Sequence, residues 1–396
     1  MDALDFAAAR QCVLDTIGRP LPVAEIIPLA DAAGRVLAVD IFADRDYPPS
    51  DRSIRDGFAV RSADLPGALR LTGEIRAGQS GAGIALGPGE CVRIMTGAPL
   101  PAGADAVVMV EHAAVADGRM TTDRTPRPGE FINAAGCEAR RGDPVLSAGV
   151  RLHYPQIAML ATVGAAQVPV FQRPRVAILA TGDEIVPIEK SPQPFEVRNS
   201  NSWALAAQAA AAGAVPTILP VAPDRLDATI AHIEQGLAAD LLLLSGGVSA
   251  GEYDFVETAL AHFGAEFFFT RVNMRPGAPL VFGRARGRYF FGLPGNPLST
   301  AVTFAVFART AIELLSGVKD PRLPIVHAKL DGAIQEKPGL TRFLPARLDN
   351  GTGAVAPIVW KGSSDVPSLA RSNAYIIAAA DRAIYEEGES VPVLLQ

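Results

Sequence analysis

Four carboxylates in this chain stand beside turns rich in glycine, serine and backbone amides. Glu184 follows an apolar run within RPRVAILATGDEIVP, and Asp254 follows SGGVSAGEY. Asp224 follows a proline at the start of a helical pattern, and Asp56 lies far earlier, in Asp56-Gly57. Carboxylates around one cleft make a hard-oxygen site suited to Mg²⁺. Gly/Ser loops and helix N-termini offer N–H donors to phosphate or another oxyanion. Together they point to a phosphorylated ligand held with Mg²⁺.

Each residue also has a plain local reading. Asp224 is placed like a helix N-cap, and Asp183 and Glu184 could cap a turn or bias a helix dipole. LPGNP reads as a rigid turn into the last helix, and Asp56-Gly57 as an everyday turn dipeptide. The loop carrying Gly246, Gly247 and Ser249 leans further toward function, because adjacent glycines at a strand end are where phosphate loops are built. No Walker A, G-x-G-x-x-G or G-x-S-x-G pattern occurs, so these residues do not by themselves name a reaction.

The elements that must position them are legible. Val176, Ala177, Ile178, Leu179 and Ala180 form an unbroken apolar run, the signature of a parallel strand buried on both faces. Asp240-LLLL-Ser245 and Arg288-YFFG-Leu293 repeat the design, each ending in a polar loop. Helix signals sit between them. Asn201 or Ser202 can cap WALAAQAAAA, with Gly213 as its left-handed stop. A second helix opens at 224–227, a third runs from Phe255 to Gly264, and a fourth begins after Pro297. Alternating strand and helix calls for a mostly parallel sheet with helices on both faces. Ligands bind such sheets outside the carboxyl ends of the strands, so the three polar loops should line one cleft.

The bulk properties exclude several classes. The 396 residues allow two to four domains by the usual size prior. A net charge of −6 without a Lys/Arg cluster argues against nucleic-acid or anionic-membrane partners. The opening MDALDFAAARQCVLDTIG has early acidic residues and no long apolar core, unlike a signal peptide. No apolar run approaches the roughly 18 residues of a bilayer span. Cys12, Cys91 and Cys137 are far apart without a C-x-x-C pair, which suits a reducing, cytoplasmic setting. The five histidines show no H-x-x-x-H spacing, so zinc is not expected.

Elsewhere, residues 4–17 read as an amphipathic helix, 29–33 as a helix, and 36–41 as a short strand. Residues 68–141 are short β-prone pieces between Gly/Pro turns. PQIAMLATVG reads as helical within the 142–172 connector. From Pro324 the segments HAKL, TRFLPARL, AVAPIVW, AYIIAAA and SVPVLL look like strands of a β domain or barrel, with Asn350-Gly351 as a hairpin signal.

Seven segments in order then carry a resemblance: SIRDGFAVR (53–61), MTGAPLPAGADAVVMVE (95–111), RPRVAILATGDEIV (173–186), SGGVSAGEYDF (245–255), RPGAPLVFG (275–283), GLPGNPLST (292–300) and SLARSNAYI (368–376). The series resembles the MoeA family of molybdopterin molybdenumtransferases, related to the gephyrin E domain. The resemblance implies a multidomain α/β chain. A central three-layer α/β/α domain with a mostly parallel sheet would occupy 173–323. A β-rich domain would occupy 46–141, a linking domain 1–45 with 142–172, and a β-barrel-like domain 324–396. It implies a homodimer that inserts molybdate into adenylylated molybdopterin, giving molybdenum cofactor and AMP with Mg²⁺. Molybdopterin adenylyltransferase and molybdoenzyme apoproteins or their chaperones would be the partners.

By the same resemblance, Asp56, Glu184, Asp224 and Asp254 form the catalytic acidic set that holds metal and positions water, with Thr96 nearby. Gly246, Gly247, Ser249 and Asn296 would bind phosphates, Arg275 would supply positive charge, and Ser368 and Arg371 would touch the pterin or oxyanion. The chain departs from the family pattern in three places. Ser53-Ile54-Arg55-Asp56-Gly57-Phe58 replaces S-A-M-D-G-Y and adds a cation. Arg275-Pro276-Gly277-Ala278-Pro279 replaces K-P-G-K-P and loses one. Asn133 and Gly136-Cys137-Glu138 stand where the family shows an arginine and G-E-D. Two alternatives stand beside the insertase: an adenylyltransferase, because the α/β domain type is shared, and a non-catalytic dimeric scaffold.

Overall fold

Strands buried on both faces set the centre of the molecule. A computed structural model describes residues 3–18, 22–80, 83–247 and 255–396. Arg175–Ala180 pairs in parallel with Val215–Ile218 on one side and Leu241–Ser245 on the other, and Leu241–Ser245 pairs in parallel with Arg288–Leu293. Two antiparallel strands, Val281–Ala285 and Glu266–Phe269, complete the six-stranded sheet. Side chains alternate across a strand, and the two faces feed two cores. Val176, Ile178, Leu241, Leu243 and Phe291 face one, with Leu205, Val302 and Phe307 from helices. Ala177, Leu179, Leu242, Leu244 and Phe290 face the other, with Ile233, Val256 and Leu260.

The register matters for function. Ala180 lies opposite Ser245, and Ser245 opposite Leu293. The three strands therefore stop on one line, and the polar loops at Thr181, Gly246 and Pro294 start side by side.

The C-terminal strands close on themselves. Thr341–Leu348 pairs with both Ala354–Pro357 and Ala374–Ala378, while Ile325–Leu330 and Ser390–Leu395 complete a ring of five. Asn350-Gly351 does sit in a hairpin, but a longer one than a two-residue turn. Asp349 accepts hydrogen bonds from Gly351 and Thr352, and Gly353 takes the left-handed φ of +69°. The sheet also runs outward from Thr341–Leu348 to Val272–Arg275, and from there to Leu4–Asp5, both in parallel.

Helix Phe6–Thr16 follows that first strand and buries Ala9 and Val13 in the α/β core, joined by Ile17 at its C-cap. Phe6 meets Phe307 edge-on at 5.7 Å and Phe343 at 5.2 Å. One ring thus touches a helix of the α/β unit and a strand of the closed sheet.

Between these units, Ala24–Pro28 pairs with Gln167–Phe171 beside helix Tyr154–Thr162, over a core of Leu37, Leu152, Leu160 and Val170. A separate six-stranded sheet runs in the order Ala106–Met109, Gly57–Val60, Glu90–Ile94, Leu69–Ile75, Arg119–Thr122, Ala113–Ala116.

Several local expectations are corrected. The helix expected at 29–33 is a single 3₁₀ turn, Leu29–Asp31. The strand expected at 36–41 reduces to bridges at Val36 and Leu37 and a pair of residues at Ile41–Phe42. Asn199, rather than Asn201 or Ser202, caps helix Ser200–Ala211, accepting from the Ser202 N–H. Asp56-Gly57 is no everyday turn: Gly57 starts a strand, and a Cβ there would lie 2.0 Å from the Val108 carbonyl oxygen. Glycine is required by close backbone approach.

Residues 297–315 form the described residues' one helix long and apolar enough to cross a membrane, and 83% of it is buried inside the protein. Phe307 lies at its centre, fully buried. Phe307→Ala removes the ring that Phe6 and Phe269 pack against and is expected to destabilise the protein by about 3–5 kcal/mol. Equilibrium urea unfolding measures this, and a loss below about 1 kcal/mol contradicts the packing described.

Candidate functional site

The aligned strand ends open onto a cleft of about 570 Å³. Thr181 and Glu184 line it from the first loop, Ser245 and Gly246 from the second, and Gly295 and Asn296 from the third. The start of helix Ser200–Ala211 contributes Asn199, Ser200 and Asn201, and the C-terminal segment adds Ser364 and Val366. The Leu298 N–H donates to the Ser363 carbonyl at 2.9 Å, holding that segment against the third loop.

Donors dominate this lining. Gly246 and Gly247 both take left-handed φ, +93° and +65°, which residues other than glycine rarely adopt. A Cβ on either would approach the Thr181 side chain, at 3.3 Å from Gly246 and 2.8 Å from Gly247. The Gly246 N–H donates to Leu293 O, while the Gly247 N–H donates to no described residue. Asn296 stands at the helix N-cap position but makes no side-chain cap bond, leaving its amide to the cleft.

Asn201 is one lining residue whose role sequence reasoning missed, as it did for Thr181 and Ser245. Its Nδ2 donates to Ser245 Oγ at 2.9 Å and to the Gly295 carbonyl at 2.7 Å, tying the second loop to the third. The signal was present in Asn199-Ser200-Asn201: one asparagine suffices as a cap, and the second was free for another task.

The acidic residues divide into groups. Glu184 lines the cleft. Asp224 is not a cap: Arg225 holds the N-cap position of Leu226–Gly236, without a side-chain cap bond. Instead Asp224 faces the first loop, where the Asp183 N–H donates to Asp224 Oδ2 at 3.4 Å and the Asp224 N–H to Asp183 Oδ1 at 3.1 Å. Asp254, with Ser249, lies outside the described residues.

Asp56 sits in the N-terminal sheet and accepts from both the N–H and the hydroxyl of Thr96, at 2.7 and 2.8 Å. Those two bonds, the backbone one foremost, hold its carboxyl below the usual carboxylate range despite slight opposing desolvation. Among the described residues, no hydrogen bond joins Asp56 or Thr96 to the cleft.

The remaining candidates lie along the closed sheet. Arg275 is exposed, in register with Arg342 of the neighbouring strand. Arg342 itself is engaged, donating to Lys337 O and pairing with Glu336 at 3.2 Å. Ser368 is fully buried; its hydroxyl donates to Asp365 at 2.6 Å and accepts from Arg371 at 3.2 Å. Asp365 also caps helix Val366–Arg371, and the Ser368 hydroxyl leads the contacts that lower its pKa.

Comparisons with known proteins agree along the chain. Residues 4–164 match the model for the MoeA N-terminal region (domain I and II), 177–314 that for a probable molybdopterin binding domain, and 327–396 that for the MoeA C-terminal region (domain IV). The molybdopterin molybdenumtransferase of Bacillus subtilis (strain 168) is 37% identical over 99% of this chain and 93% of its own. That of Nostoc sp. (strain PCC 7120) is 39% identical over 74% of this chain and 70% of its own. The crystal structure of the molybdopterin biosynthesis MoeA protein from Pyrococcus horikoshii OT3 superposes with a TM-score of 0.85 at 28% identity, covering 100% of both chains.

Two outcomes are expected from this geometry. Asn201→Ala removes two hydrogen bonds from helix Ser200–Ala211 to Ser245 and Gly295, about 1–3 kcal/mol of local stability, so the Gly246 amide exchanges faster in hydrogen-exchange measurements while the Asn199 cap region is unchanged. Thr96→Val removes the hydroxyl but keeps the stronger backbone donor, so the Asp56 pKa rises only part of the way to its ordinary value in a carboxyl NMR titration. The sign for stability follows. Because the folded pKa is lowered, the Thr96–Asp56 contribution is present above the ordinary carboxylate pKa and is lost as pH falls through the lowered one.

Proposed function

The chain belongs to the MoeA family of molybdopterin molybdenumtransferases, and from that premise we propose that it inserts molybdate into adenylylated molybdopterin, releasing AMP with Mg²⁺ and yielding molybdenum cofactor. It is an enzyme of molybdenum cofactor biosynthesis. The observation that carries the substrate assignment is the donor-rich cleft, where Asn201 holds two glycine-containing loops in contact at aligned strand ends. Such a lining suits a phosphorylated ligand, because its N–H, hydroxyl and amide groups face where anionic oxygens would rest.

In this reading Ser245, Gly246, Gly247 and Asn296 bind the phosphates, with Ser249 of the same loop. Arg275 supplies a cation for the incoming molybdate, and Arg371, fixed through Ser368 and Asp365, supplies another. Ala278 contributes none. The acidic residues fit Mg²⁺ in one particular way. Among the described residues, no three carboxylate, histidine or cysteine side chains group closely enough to hold a metal unaided. Mg²⁺ is bound through carboxylates together with substrate phosphates, and Glu184, Asp224 and Asp254 are the set from which they come. When bound, the ion offsets the charge of two anionic substrates and polarises the phosphoanhydride.

Asp56 has a different task. A carboxylate held ionised by two hydrogen bonds is a weak base, so it orients water or metal rather than taking a proton. Asp56 and Thr96 hydrogen-bond to each other and not to the cleft, which supports a homodimer whose cleft joins the β-rich domain of one subunit to the α/β and tail domains of the other. The domain division that goes with this is 1–45 with 142–172, 46–141, 173–323 and 324–396. The α/β part is a three-layer domain with a mostly parallel sheet, and the tail is barrel-like. The setting is cytoplasmic, between a molybdopterin adenylyltransferase that supplies the substrate and molybdoenzyme apoproteins or chaperones that take the product. Neither nucleic acid nor membrane is a partner.

A single-turnover assay with adenylylated molybdopterin, molybdate and Mg²⁺ tests the reading by following AMP release and protein-bound molybdenum together. Coupled appearance of both is expected; ligand binding without AMP release overturns the activity. Asp56→Ala and Glu184→Ala should each lower turnover on the order of 100-fold or more with the fold intact. Mixed and reannealed, the two inactive variants should regain roughly a quarter of wild-type turnover, since half the dimers then hold one intact cleft. No recovery contradicts the shared cleft.

A further inference from the structure

The hydroxyl of Thr181 is an anomaly in the cleft. Among the described residues that line the cleft, it is the one side-chain polar atom both closed off from water and without a hydrogen-bond partner. Thr181 is 7% exposed. It stands at the first position beyond the Arg175–Ala180 strand, between Glu184 and the second loop. Its backbone is fixed on two sides, the N–H donating to the Ser245 carbonyl at 3.2 Å and the residue bridging to Ala222. A Cβ on Gly246 would meet the Thr181 carbonyl at 2.9 Å, and one on Gly247 would meet the Thr181 hydroxyl at 2.8 Å and Val256 at 2.7 Å.

A buried hydroxyl without a partner destabilises the folded protein. Valine would fill the same volume, and β-branched residues suit a strand end. Physics alone therefore favours Val at position 181, and the hydroxyl calls for a partner that arrives from outside. Two neighbouring groups keep a donor for a ligand: the Ser245 hydroxyl, whose oxygen accepts from Asn201, and the Gly247 N–H. That set recruits an anionic oxygen, and a threonine hydroxyl can donate to one as they do.

We propose that Thr181 is a substrate-binding residue whose hydroxyl donates to a phosphate oxygen of the adenylylated ligand, beside the Ser245 hydroxyl and the Gly247 N–H. This rests on the insertase reading of the same cleft. It makes Thr181 a position where stability is given up for binding.

The test compares Thr181→Val and Thr181→Ser with the wild-type protein, reading thermal unfolding and the Kd for adenylylated molybdopterin with Mg²⁺. Thr181→Val is expected to bind roughly tenfold more weakly, with a Tm equal to or above wild type. Thr181→Ser, which keeps the hydroxyl, should bind within about twofold of wild type. Wild-type affinity in Thr181→Val overturns the proposal and leaves the insertase reading standing. A lowered Tm in Thr181→Val also overturns it, by showing that the hydroxyl is satisfied within the fold. Failure of the wild-type protein itself to bind overturns the insertase reading, and this proposal falls with it.

Discussion

The site depends on one constraint: three parallel strands end in register. Ala180, Ser245 and Leu293 stand side by side, each at the last point where both faces of the sheet can still be covered by helices. Beyond that line the chain must leave the core and satisfy its own polar groups. The loops do this partly by bonding to one another, through Thr181 to Ser245 and Gly246 to Leu293. What remains unpaired is turned toward the cleft. A donor-rich concavity is thus a direct result of ending buried parallel strands together.

The parts of the fold that were legible in the sequence were those whose burial leaves a mark on composition. Residues 176–180 and 241–245 are covered on both faces, so neither run contains a charge. The C-terminal strands were legible as strands, but their closure was not. It needs Thr341–Leu348 to pair with two partners at once, a long-range register with no local imprint. The first helix was legible from its apolar stripe. Its destination was not, since Leu4 and Asp5 pair with Val272 and Asn273.

The same distinction runs through the site. Glu184, Gly246 and Asn296 follow strand ends directly and could be placed by position alone. Asn201 reads in the sequence as the helix cap, the role that Asn199 takes. Asp224 looked like a cap because it follows a proline before a helix, yet the bridge between Thr181 and Ala222 draws its backbone to the first loop instead. Gly57 looked like a turn residue because Asp-Gly is a turn dipeptide, although the carbonyl of Val108 is what excludes a side chain there. In each case the deciding partner is distant in sequence.

The outward extension of the C-terminal sheet has a consequence for the order in which the chain can assemble as it is made. Its first strand, Leu4–Asp5, needs Val272–Arg275 as a neighbour, which in turn needs Thr341–Leu348. Phe6 likewise packs against Phe307 and Phe343. Residues 4–16 therefore have no native partner until some three hundred residues after them have been synthesised. Its amphipathic helix stays uncovered during translation while the units between fold, and docking closes a loop of some three hundred residues. A segment made before its partners is thus among the last to become native.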